Sequence, residues 1–116
     1  MSTQIDAIEQ WVGAQLPLDY RNLLAQHEES YFANDLVLIY GRNDFVERNE
    51  TYEVKEYCQG HVTIGDDSGG RQILLSLRSG QVLLADAGWL EPADALTVAE
   101  SVSKWLAAGC PAPDDE

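Results

Sequence analysis

The first quarter of the chain carries apolar residues at the spacing of an amphipathic helix. Four of them recur three or four residues apart: Ile5, Ile8, Val12 and Leu16. This spacing predicts a first helix, which Thr3 caps at its N-terminus. Pro17 ends that helix and suits the first position of a second one, where a missing N–H costs nothing. One face of the second helix carries four residues: Tyr20, Leu23, Leu24 and His27. At this spacing His27 is typical of a partly buried packing residue.

Short apolar runs separated by turn-forming strings follow in the centre of the chain. Four runs predict strands: Leu36–Tyr40, Val62–Ile64, Ile73–Leu77 and Gln81–Asp86. The Gly-Asp-Asp-Ser-Gly-Gly string at 65–70 predicts a turn, and the Arg-Ser-Gly link at 78–80 predicts a hairpin. Leu74 and Leu83 make the face opposite Ile73 apolar as well. We therefore expect both sheet faces to be at least partly covered, with the helices at the two chain ends as the cover.

The end of the chain carries the pattern of a last helix. Thr97 and Glu100 have the spacing of a capping box, and Gly109 with Pro111 supplies a stop. An apolar stripe runs between them: Val98, Val102, Trp105 and Leu106. Together these elements predict a single α+β domain, with two N-terminal helices, an antiparallel-rich sheet of about four or five strands, and a C-terminal helix packed on the sheet.

Charge narrows the range of functions. The chain has 116 residues with 20 Asp+Glu against 7 Lys+Arg, a net charge of −13. Such a chain lacks the basic surface that nucleic acid or anionic lipid requires, so we expect neither as a direct partner. No apolar run is long enough to span a membrane and no signal-peptide pattern opens the chain, which favours a cytoplasmic protein. Residues 111–116 are predicted to form an acidic, disordered tail after a domain over 1–110.

The densest acidic stretch recurs every third residue in the middle of the chain. Its members are Asp44, Glu47, Glu50, Glu53 and Glu56. On a helix the first three share one side, opposite Phe45, Asn49 and Tyr52. Because the last two would rotate onto that opposite side, we expect the helix to stop near Tyr52 and an extended segment to follow. Asp44 and Glu47 also have the spacing of a capping box.

No residue pattern predicts catalysis, a cofactor or a metal site. Cys58 and Cys110 are expected to be free thiols, with Cys110 about half exposed. Asp67-Ser68-Gly69-Gly70 is similar to a serine-protease nucleophile segment, but the chain is about half the length that such a fold requires. Asp66 and Asp67 lack the spacing of a calcium loop, so a role in capping the turn is favoured over a metal or partner site.

Several segments together resemble the SUKH superfamily, the Smi/Knr-like domains. Leu16-Pro17-Leu18-Asp19-Tyr20 followed by Leu23-Leu24 is similar to the family's LP-x-x-Y-x-x-[LF][LF] helix start. The string from Ile64 to Gly70, with Leu74-Leu75-Ser76-Leu77, Gly80, Val82 and Asp86 behind it, resembles the family's most recognisable signature. Trp105-Leu106 matches its closing helix. On this resemblance, 1–110 is a Smi/Knr-like domain, and Gly65, Gly69 and Gly70 have a structural role in the turn.

The resemblance implies a small α+β domain without known catalysis. Bacterial members are often immunity proteins that bind and neutralise toxins, and fungal members act through protein partners. Combined with the charge, it suggests a cytosolic immunity protein that presents acidic residues to a basic toxin domain. The expected contacts are Asp44, Glu47, Glu50, Glu53, Glu56, Asp66 and Asp67. Three alternatives stay open: a regulatory adaptor for a housekeeping protein, an uncharacterised enzyme, and a solvated acidic face that only aids solubility.

Overall fold

The computed structural model describes residues 3–86, 88, 91 and 94–112. Over these residues the helices are α1 (Thr3–Val12), α2 (Leu18–Gln26), α3 (Phe45–Thr51), α4 (Val54–Tyr57) and α5 (Val102–Ala107). The strands are β1 (Tyr31–Phe32), β2 (Leu38–Ile39), β3 (His61–Asp66), β4 (Arg71–Ser76), β5 (Val82–Asp86) and β6 (Leu96–Ala99). The α+β architecture predicted from the sequence is therefore confirmed.

The strands form one antiparallel sheet in which spatial order equals chain order, from β1 to β6. The predicted hairpin of β4 and β5 is present, with Ile73 opposite Leu84 and Leu75 opposite Val82. The sheet has six strands in the described part of the chain, slightly more than the four or five expected. The predicted strand over Leu36–Tyr40 is reduced to the two residues of β2.

One face of the sheet packs against the helices from both chain ends. Trp105 of α5 and Tyr20 of α2 are fully buried there, with Ile64 and Ile73 from the sheet. The Trp105 indole N–H donates to the carbonyl of Pro111 at 3.0 Å, which gives the buried ring a partner for its polar atom. The packing predicted for both terminal helices is therefore confirmed on this face.

The opposite face is covered by a different element from the one expected. Its apolar cluster joins Leu74, Leu83 and Ala85 of the sheet to Val54 and Cys58, which belong to α4 and the residue after it. The prediction of an extended segment after Tyr52 was wrong, because a left-handed Glu53 reverses the backbone and starts this second short helix. The turn places Val54 and Cys58 over the sheet.

The capping box predicted at Thr97 was also wrong. Thr97 lies in β6 opposite Leu83, so pairing with β5 overrides a local helix signal. The cap lies four residues later at Ser101, whose hydroxyl accepts a hydrogen bond from the Lys104 N–H at 3.1 Å, and the helix begins at Val102. Val102 and Trp105 are buried as the stripe predicted.

Smaller differences concern helix ends and the C-terminus. Leu16 is buried but lies after α1, and Pro17 occupies the cap of α2 rather than its first turn. Cys110 is buried, not half exposed. Pro111 and Ala112, predicted to begin the tail, accept hydrogen bonds from Trp105 and Arg71, whereas 113–116 lie outside the described residues.

Candidate functional site

Helix α3 separates its acidic and packing sides as the sequence predicted. Glu47 and Glu50 are exposed, whereas Phe45 and Asn49 are buried and Tyr52 ends the helix. The Asn49 amide nitrogen donates to the carbonyl of Thr63 at 3.1 Å, and its oxygen accepts from the Thr63 N–H at 2.8 Å. These two bonds fix the helix on β3, so its acidic side faces away from the sheet.

The role of Asp44 at the start of α3 differs from the capping box that its spacing suggested. Its side chain makes no cap hydrogen bond to the helix, and its backbone is already helical. Instead, the Ser30 hydroxyl donates to the Asp44 carboxylate at 2.6 Å, and it also accepts from the Gly41 N–H at 3.0 Å. Ser30 therefore ties the segment before β1 to the start of α3, and it leaves the negative charge of Asp44 half exposed at that junction.

The same junction brings in two carboxylates that the sequence analysis did not select. The backbone of Asn43 donates to the carbonyl of Glu28 at 3.0 Å, and Arg42 donates to that of His27 at 3.1 Å. Glu28 and Glu29 are both exposed. We name this group the α3 acidic surface: Glu28, Glu29, Asp44, Glu47 and Glu50. Residue spacing in the sequence could not predict that Glu28 and Glu29 lie beside the start of α3, because only the fold brings the two segments together.

Basic side chains near this surface are engaged elsewhere. The Arg48 guanidinium lies over the Tyr40 ring, 5.5 Å from its centroid. Arg42 donates to the carbonyls of Leu24 and Ala25 and to the side chain of Gln4. Within the described part of the chain, neither Glu47 nor Glu50 forms an ion pair. Glu47 and Glu50 thus present exposed carboxylates that no basic side chain of the described residues pairs with directly.

Glu53 and Glu56 belong to the segment that follows. Both are exposed, Glu53 at the left-handed residue before α4 and Glu56 within that helix. Lys55 between them turns toward α1, where its ammonium donates to the Trp11 carbonyl at 2.7 Å and lies 4.5 Å from that ring's centroid. The two carboxylates thus extend the exposed acidic charge beyond α3.

Asp67 is a structural residue of the turn between β3 and β4. Its carboxylate accepts from the N–H groups of Gly69 at 2.8 Å and Arg71 at 3.0 Å, and from Arg71 Nε at 2.7 Å. Burial alone raises the pKa of this carboxyl, but the hydrogen bonds from Gly69 and Arg71 outweigh it and hold the pKa below its usual range. The geometry therefore supports the turn-capping interpretation over a partner contact for Asp67.

Asp66 is also held from within the domain. It accepts from the Ser68 N–H at 2.9 Å and from the Tyr40 hydroxyl at 3.0 Å. Burial, and next the Asp66 carboxylate, raise the pKa of Tyr40, so this phenol stays a neutral donor. Tyr40 also contacts Gln72, whose side-chain oxygen accepts from Thr63 at 2.7 Å. Asp66 thus belongs to a polar network beneath the turn.

The three glycines of the predicted turn have different roles. Gly65 lies within β3, not in the turn, and a side chain there would collide with the Leu38 carbonyl of β2. Gly70 has φ +96°, a conformation that L residues rarely adopt. A Cβ on Gly69 would make only ordinary contacts with Asp67. Close strand approach and turn geometry therefore account for Gly65 and Gly70 respectively.

Both thiols are free and buried, as Cys58 and Cys110 lie in separate apolar clusters. Burial, together with the nearby Glu91 carboxylate, raises the pKa of Cys58 to about 11. Burial also raises the pKa of Cys110. Neither thiol thus has the lowered pKa of a reactive cysteine. Among the residues that the structure describes, no group of His, Cys, Asp or Glu could hold a metal ion, and no helix could cross a membrane.

The fold and surface define the class of this protein as a small α+β domain, with an antiparallel meander packed on its terminal helices and an exposed acidic helix. A family model described as "SMI1 / KNR4 family (SUKH-1)" matches residues 2–108. Since the match covers most of the chain, the protein belongs to the SMI1/KNR4 family (SUKH-1), and the resemblance seen in the sequence is confirmed. A search of curated proteins gives no match.

Proposed function

We propose that this protein is a cytosolic, non-catalytic immunity protein that binds and neutralises a basic toxin domain. The observation that carries the proposal is the α3 acidic surface, whose Glu47 and Glu50 are exposed and uncompensated in the described part of the chain. Membership of a family that includes toxin immunity proteins supports a partner-binding role for this surface over a role in solubility alone.

The surface is suited to a basic partner for two physical reasons. Helix α3 is fixed on the sheet through Asn49 and Thr63, so binding does not require its carboxylates to be ordered by folding of the helix. Opposite charges also steer encounter, and they raise association rates about 10- to 1,000-fold at low salt. A nuclease domain is one such partner, because a cleft that binds phosphates must be basic.

Glu53 and Glu56 join the proposed contact as an extension of the surface along α4. Asp66 and Asp67 contribute only background charge, because their carboxylates already accept hydrogen bonds from the turn and from Tyr40. Neither direct nucleic-acid binding nor membrane binding forms part of the proposed activity, since both require positive charge at the protein surface.

The test begins with the neighbouring reading frame: a secreted protein with a toxin-like C-terminal domain encoded there would supply the partner to test. Co-expression should rescue cells from that domain, and surface plasmon resonance should give an association rate that falls steeply with salt. The double variant Glu47→Gln with Glu50→Gln should slow association about threefold or more at low salt, and the difference should vanish at high salt.

A matched control variant has the same net charge as the double variant of Glu47 and Glu50. Asp6→Asn with Glu100→Gln removes two exposed carboxylates from α1 and from the segment before α5. This control should associate at the rate of the unmodified protein. Equal slowing by both variants would mean that only total charge matters, and the proposed contact surface would then be abandoned. Failure of rescue with tight binding intact would instead argue against neutralisation.

A further inference from the structure

An open cavity of about 530 Å³ lies where the turn after β3 meets the end of β5 and the start of β6. Among the described residues, its apolar lining includes Leu36, Leu84 and Leu96. Leu36 is 58% exposed and Leu96 is 39% exposed, so two large apolar side chains are accessible beside this concave surface. The Ser68 hydroxyl donates to the Leu36 carbonyl at 2.7 Å, so this wall is attached to the turn.

The lining of the same cavity is strongly negative. Among the described residues it carries the carboxylates of Asp86 and Glu91, and the Arg71 guanidinium at its wall forms an ion pair with the buried Asp67 at 2.7 Å. Asp86 and Glu91 are exposed, and one oxygen of Asp86 accepts from the Gly88 N–H at 2.8 Å. Exposed leucines and exposed carboxylates therefore share one groove.

We propose that this groove receives an arginine side chain of a protein partner. An arginine has an apolar stem that can pack against Leu36 and Leu96. Its planar guanidinium can donate two parallel hydrogen bonds to a carboxylate. A metal ion fits less well, because the carboxylates of the described residues do not converge into a group that could hold one. Lysine would offer a similar stem but only a compact point charge.

This assignment deepens the proposed function, on which it rests for the basic character of the partner. The groove lies between the turn after β3 and β6, whereas the α3 acidic surface lies at the junction of α2, β1 and α3. Long-range attraction would come from the α3 acidic surface, and the groove would select a side chain by shape as well as by charge. The two sites can therefore be tested with different probes.

The probe for the groove is the tripeptide Gly-Arg-Gly, acetylated and amidated, compared with its neutral isostere in which citrulline replaces arginine. In an NMR titration of the labelled protein, the arginine peptide should shift the amide signals of Ser68, Gly69, Gly88 and Leu96 saturably. Its apparent Kd should be about fivefold or more below that of the citrulline peptide. Shifts confined to α3, or equal shifts with both peptides, would overturn the proposal.

A variant of the groove and a control complete the test. Asp86→Asn with Glu91→Gln keeps the side-chain size and one oxygen of each residue but removes two charges, and it should raise the apparent Kd about three- to tenfold. Asp6→Asn with Glu100→Gln, which lowers the charge equally, should not change it. Equal weakening by the two variants would contradict the groove. Because the peptide probe requires no toxin, its failure would leave the rescue and salt experiments of the proposed function standing.

Discussion

Replacing Asp67 by Asn tests whether this residue acts as the structural centre of the turn. The Asn oxygen can still accept from the N–H groups of Gly69 and Arg71. The new amide nitrogen, however, would face the Arg71 Nε, which donates to Asp67 at 2.7 Å in the native protein. Two donors would then oppose each other at a site where the Arg71 side chain is only 18% exposed.

The size of the effect follows from the bond that is lost. A buried hydrogen bond between charged groups contributes about 1.5–3 kcal/mol, and the Asp67 side chain is only 8% exposed, so solvent screens it little. We therefore expect Asp67→Asn to lower the free energy of unfolding by about 1.5–3 kcal/mol near neutral pH. For an m value of about 1.5 kcal/mol/M, the urea midpoint falls by about 1–2 M.

The pH dependence has a definite sign. The folded protein holds the pKa of Asp67 below its usual value, so the unfolded chain binds the proton more readily. The stabilisation is complete above the unfolded pKa of about 3.9, and it is lost as pH falls from there through the folded pKa. The difference in the free energy of unfolding between the native protein and Asp67→Asn should therefore be largest near neutral pH and should become smaller below about pH 4.

Urea unfolding, followed by tryptophan fluorescence, measures this difference in the free energy of unfolding near neutral pH and below about pH 4. The matched control is Asp66→Asn, since the Tyr40 hydroxyl can rotate to accept from an amide, and this change should cost less than about 1 kcal/mol. Equal stability of native protein and Asp67→Asn near neutral pH, or a gap that is the same at low pH, would refute the assignment of Asp67.

Three further predictions concern the core and the turn. In the same urea assay, Gly65→Ala should destabilise the protein by more than about 2 kcal/mol, because the new side chain forces β2 away. Gly70→Ala should cost about 1 kcal/mol because of the positive φ at this position. Gly69→Ala should be nearly neutral. Cys58 should not react with Ellman's reagent in the native state, since it is buried with a pKa of about 11, and rapid native labelling would contradict its placement. Trp105→Phe removes a buried hydrogen bond and leaves a void, so calorimetry should show a loss of about 1–3 kcal/mol, and an unchanged melting temperature would rule out this packing.

Elements stabilised by their own local pattern were predictable from the sequence. Helix α3, with Phe45 and Asn49 opposite Glu47 and Glu50, follows from helical spacing alone. The hairpin of β4 and β5 follows from two apolar runs and a short link containing Gly80, which has φ +80°. In these segments local preference and tertiary packing favour the same conformation.

Elements decided by distant contacts were not predictable. Thr97 carries a helix-start signal, yet pairing with Leu83 places it in a strand. β1 has only two residues, too few to show a period, and the left-handed Glu53 gives no signal in its residue type. Part of the candidate site was not predictable from the sequence for the same reason. Glu28 joins the α3 acidic surface only through backbone hydrogen bonding to Asn43, which a spacing rule does not include.

The order of the strands also has a consequence for how the chain folds. Since every strand pairs with its neighbour in sequence, the sheet can grow by successive antiparallel pairings. The link from β2 to β3 is the exception to short loops, because it contains α3 and α4. A long-range closure joins α2 to α5, where the Ser103 N–H donates to the Asp19 carboxylate across 84 residues. We expect folding to be fast for a sheet protein of this size, with the docking of α5 against α2 as its last and slowest step.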